Sequence, residues 1–119
     1  MRSRNLISEE QKLPVDLNQS LLERFLRYVR IHTQSNEASS EAPSTAVQLD
    51  LANVLLEELR AMGVEAEIGR GGVLYAVIPA TAGAESAPSI GLIAHMDTSP
   101  DAPGRGREAR SSRYTGGDV

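Results

Sequence analysis

No cysteine occurs in the 119 residues, which excludes disulfides, thiolate metal sites and cysteine nucleophiles together. The same absence fits a reducing cytosol. Tryptophan is missing too, and one Phe and three Tyr make up the whole aromatic set, so a core must be assembled from Leu, Val, Ile and Ala. No apolar run approaches the ~20 residues of a membrane span. The polar opening MRSRNLISEEQKLPVDLNQS lacks the apolar stretch of a secretion signal. The expectation is a cytoplasmic chain with no membrane partner. A basic surplus is also lacking: 12 Lys and Arg stand against 16 Asp and Glu, for a net charge of −4. Phosphate backbones need a basic surface, so nucleic acid is not expected as a partner.

What is present suits a single domain, since ~100–150 residues is the commonest domain size. Residues 1–16 are polar, contain Pro14, and read as an N-terminal extension. Asp16 or Asn18 can cap a following helix. Leu21, Leu22, Phe25, Leu26 and Val29 recur at helical spacing and predict an amphipathic helix ending near Ile31. A polar loop spans 32–43. Thr45, with Gln48 three residues on, has the spacing of a capping box. Val47, Leu51, Val54, Leu55, Leu59 and Met62 form the stripe of a second helix, and Gly63 sits where a helix-ending glycine belongs.

After Gly63 the period shortens to two. Val64, Ala66 and Ile68 alternate with Glu65 and Glu67, as in a half-buried strand. GRGG (69–72) is a turn. VLYAVIP (73–79) predicts a second strand, the hairpin partner of the first. A Pro/Ala/Gly loop covers 80–88, and SIGLIAH (89–95), apolar on both faces, predicts a central buried strand. The order helix, helix, strand, strand, strand predicts an α/β layer with a mixed sheet and flanking helices. From about Ala102 no period is evident, and the tail carries Arg105, Arg107, Arg110 and Arg113, expected as an exposed loop.

The chemistry centres on HMDTSPD, residues 95–101. Alternate residues of a strand share a face, so His95 and Asp97 project to one side. The end of a strand is where open α/β sheets hold ligands. Imidazole is the commonest metal ligand, and its second nitrogen needs an orienting acceptor. From these residues alone two readings stay open: part of a metal site, or an ordinary strand end with satisfied polar groups. A zinc site needs three or four protein ligands as a rule, and only one other histidine, His32, is present. Glu57 and Glu58 read as a solvated helix face rather than a catalytic pair, and GRGG precedes a strand, unlike a phosphate loop.

LLERFLRYVRIHTQS, the APST before the second helix, and IGLIAHMDTSPD resemble the opening of the peptidase T family, zinc-dependent aminopeptidases that act on tripeptides, within the wider zinc exopeptidases. The similarity runs from about Leu21 to Asp101. It resumes at Tyr114, Gly116, Gly117 and Asp118, which look like that family's Tyr-x-Gly-Gly-Asp. The resemblance implies that residues 17–119 are the N-terminal part of a zinc-exopeptidase catalytic domain. It implies zinc as cofactor, His95 as a zinc ligand, and Asp97 as the catalytic-site carboxylate supporting that histidine. A bridging aspartate, a Glu-Glu pair and a distal histidine would lie further along. His32 is not promoted to a ligand. The expected partner of the complete enzyme is a short peptide, with a homodimer only in the full-length form. The expectation for these 119 residues alone is a truncated, inactive portion. The alternative is a non-catalytic interaction module or a decayed gene product.

Overall fold

A computed structural model describes residues 16–102, 104–110, 112–113 and 115–117. Among the described residues the regular elements are two α-helices and one hairpin, with a short 3-10 turn (Arg70–Gly72) between its strands: α1 (Leu17–Tyr28), α2 (Gln48–Ala61), β1 (Glu65–Ile68) and β2 (Leu74–Val77).

Asp16 starts α1. Its backbone is extended and its carboxylate accepts from the N–H groups of Asn18 (3.0 Å) and Gln19 (3.3 Å), two of the donors that a helix start leaves orphaned. The helix ends at Tyr28, a turn earlier than the apolar spacing suggested. The expected capping box at Thr45 does not form. The Thr45 hydroxyl donates instead to the Gln34 carbonyl at 2.6 Å, so it is committed to the loop, and α2 begins three residues later at Gln48. Its far end follows expectation. Gly63 takes φ +76°, its N–H bonds the Arg60 carbonyl at 2.9 Å, and Val64 N–H bonds the Leu59 carbonyl at 2.9 Å. This is the Schellman closure that glycine permits.

The hairpin is antiparallel, with Glu65 opposite Val77 and Ile68 opposite Leu74. The turn between the strands uses Gly71 (φ +75°) and Gly72 (φ +76°). The sheet packs on α2, whose Leu51, Ala52 and Leu56 are the buried apolar residues. Between α1 and α2, Glu58 accepts from the Tyr28 hydroxyl and pairs with Arg27. Glu58 is therefore an inter-helix anchor and not part of a solvated face, whereas Glu57 stays exposed and pairs with Arg60. Burial and the Glu58 contact hold the Tyr28 phenol above its ordinary pKa.

Two expectations about the sheet are corrected. It is a two-stranded antiparallel sheet and not a mixed one among the described residues. Residues 89–95 form no strand: Ile90, Leu92 and Ile93 stand 87%, 94% and 101% exposed. A run that is apolar on both faces encodes neighbours on both sides. The described residues supply neither: the run pairs with neither outer edge of the β1–β2 sheet, and nothing covers its faces. The tail from Gly104 onward carries no regular element in its described residues. Tyr114 and Asp118, part of the expected Tyr-x-Gly-Gly-Asp, lie outside them.

Candidate metal-ligand arm

His95 and Asp97 end the extended run. The backbone from 88 to 97 is open, yet alternate side chains of any extended chain fall on one side. The two groups therefore meet: His95 Nδ1 lies 3.1 Å from Asp97 Oδ1. An ionised carboxylate only accepts, so Nδ1 carries the proton and the Nε2 lone pair of a neutral ring is left free. That is the arrangement of a metal-binding histidine with its orienting carboxylate. The imidazole is 83% exposed and the carboxylate 37%. The His95 hydrogen bond, followed by one from the Ser35 hydroxyl, holds the Asp97 carboxyl below its ordinary pKa; slight burial opposes this.

The pair borders a largely apolar hollow of about 770 Å³ lined by Phe25, Leu51, Leu55, Met96 and others. Residues of both helices, of the hairpin turn and of segment 94–98 line the hollow. The sequence reading missed the loop that holds this corner. Thr33, 2% exposed, and Ser35 bind the Thr98 backbone, and Gln34 forms a parallel bridge with Thr98. No periodic signal marks these contacts, because the partners lie 63 residues apart.

His32 sits elsewhere in this loop, beside a smaller hollow with Asn36 and Pro100, its Nδ1 buried without a hydrogen-bond partner among the described residues. Among the described residues no three His, Cys, Asp or Glu side chains come close enough together to hold a metal ion. The donor chemistry at His95 and Asp97 fits one arm of a zinc site, and the described residues do not complete it. Among the described residues no helix is long and apolar enough to cross a membrane.

No protein-family model matches the chain. Curated relatives do. Peptidase T of Desulfitobacterium hafniense (strain Y51) is 46% identical over 101 residues, covering 84% of this chain and 24% of the relative. Peptidase T of Parabacteroides distasonis is 43% identical over 101 residues (84% of this chain, 25% of the relative). Peptidase T of Geobacillus thermodenitrificans is 41% identical over 105 residues (87% and 25%). The chain spans about a quarter of the length of these relatives. Over 84% of its own length it is therefore homologous to a part, about one quarter, of peptidase T.

Proposed function

We propose that this chain carries the His-x-Asp arm of a zinc-dependent tripeptide aminopeptidase of the peptidase T kind. His95 serves as a zinc ligand through Nε2, and Asp97 fixes its ring. The observation that carries this reading is the 3.1 Å contact between His95 Nδ1 and Asp97 Oδ1, set in a segment 46% identical to peptidase T. Zinc in such an enzyme supplies Lewis-acid polarisation of the scissile carbonyl and a bound water of lowered pKa. The described residues contribute the imidazole and its orientation. The base and the other ligands lie outside them, so the 119-residue chain alone hydrolyses no tripeptide.

A chimera tests the reading. The 101 matched residues replace the corresponding segment of the Desulfitobacterium enzyme. The expected outcome is a zinc-requiring tripeptidase whose kcat falls at least ~100-fold on His95→Ala, in line with loss of a metal-site group. A folded chimera whose activity is indifferent to His95 sinks the reading. Zinc-stimulated cleavage of a tripeptide by the 119-residue chain itself, lost in His95→Ala, overturns the proposed inactivity. Capture of this chain by a full-length relative, with no role for His95, would favour the interaction-module alternative.

A further inference from the structure

We propose that the extended run 89–95 and the hollow beside it form one docking surface, and that its occupant is the part of a peptidase T chain outside the matched quarter, with which this chain assembles in trans. The proposal rests on the homology and not on the reading of His95 as a zinc ligand. From Pro88 to Met96 no backbone group bonds another segment among the described residues, so both edges of the run are open to an added strand. Ile90, Leu92 and Ile93 stand exposed, and no charged residue occurs from Ser86 to Ala94. The run leads directly into the hollow. Ala94 and Met96 line it together with Phe25 of α1, Leu51 and Leu55 of α2 and Leu74 of β2. The uncovered edges and the unfilled hollow are therefore one continuous apolar surface.

The lengths of the relatives say what covers it. A match over 84% of the 119 residues necessarily contains the run, which lies well inside both ends. In the Desulfitobacterium relative the matched residues are only 24% of the chain, and the other three quarters are available to cover them. The size of the open surface agrees. It exceeds that of a compact chain of this mass by roughly 4,700 Å². That is the scale of an obligate, core-like interface, whereas transient contacts bury under ~1,200 Å² in total. A second copy fits less well. Docked about a two-fold axis, it gives each run one neighbouring strand where two edges and two faces stand open, and it brings a second hollow instead of a filler. The lack of charge along the run likewise selects a partner surface resembling a domain interior.

The test coexpresses the tagged 119-residue chain with Desulfitobacterium peptidase T lacking its matched quarter. The expected result is a one-to-one complex on affinity capture and gel filtration, in which the chain no longer binds ANS. The full-length relative, whose own quarter fills the place, is not captured. Leu92→Lys with Ile93→Glu, on the run, and Val29→Glu, at the hollow, each lower recovery of the complex roughly tenfold or more, as loss of a buried apolar anchor does. Exchanging the charges of an exposed pair outside the hollow, Glu57→Lys with Arg60→Glu, leaves recovery unchanged. No complex with the shortened relative, equal capture of the full-length one, or a complex indifferent to the run and hollow variants each overturns the proposal. A chain that recovers only itself does so too, and makes the occupant a second copy. His95→Ala leaves the assembly intact. A complex that forms without zinc-dependent tripeptidase activity sinks the peptidase reading and leaves the docking surface standing; an active chimera with no complex does the reverse.

Discussion

Asp97 accepts a hydrogen bond from His95 while much of its carboxylate remains in water. Its folded pKa is depressed below the ordinary 3.8, chiefly by His95 and next by Ser35. The charged form is thus favoured in the folded chain. Its contribution is present above the unfolded value and is lost as pH falls through the folded one. Exposure screens the pair, so the stability at stake is small; the titration itself is the useful readout. Carbon-13 NMR of the Asp97 carboxyl is expected to give a midpoint below 3.8. His95→Ala raises it more than Ser35→Ala does. A midpoint at or above the ordinary value contradicts the geometry. The pairing of His95 with Asp97 was legible in the sequence, because it needs only an extended backbone between residues two apart. Ser35 was not, because a contact across 63 positions leaves no local pattern.

Among the elements, the signals that survived are those resolved within one turn of chain. Asp16 caps α1 and Gly63 closes α2 as their residue types require. The hairpin followed from alternation and GRGG. The third strand failed because its burial depends on elements that the described residues do not contain, and no property of SIGLIAH carries that information. Two glycines separate backbone strain from crowding. Gly63 and Gly72 have the same φ of +76°. A Cβ at Gly63 meets nothing within 4 Å, whereas one at Gly72 meets Leu49 Cδ2 and Pro43 Cδ, each at 3.1 Å. Gly63→Ala is expected to cost about 1 kcal/mol from conformation alone. Gly72→Ala adds overpacking on top, for a total of roughly 2–4 kcal/mol. Urea denaturation followed through the hairpin compares them. Equal costs would show that Leu49 and Pro43 yield freely and that α2 does not clasp the hairpin turn.

At the scale of the molecule the accessible surface is 11,019 Å². A compact protein of 12.8 kDa exposes about 6,300 Å² by the usual scaling. The radius of gyration, 19.6 Å, likewise exceeds the ~13 Å of a compact domain near this size. The excess is apolar in telling places: Leu17, Leu21 and Phe25 on α1, and Ile90, Leu92 and Ile93 beyond the hairpin. An unpaired extended run of this kind is a template for strand addition and a source of association. The 119-residue chain at tens of micromolar is therefore expected to sediment well above 12.8 kDa and to bind a hydrophobic dye such as ANS. Leu92→Lys with Ile93→Glu places charges of both signs in the run and shifts the distribution toward monomer. The His95–Asp97 contact persists in that variant, because it needs no ladder at residues 92 and 93. A monomer that binds no dye and unfolds cooperatively would mean that residues 89–95 find cover in solution after all. The sequence pattern of a buried strand would then describe the chain better than its open conformation does.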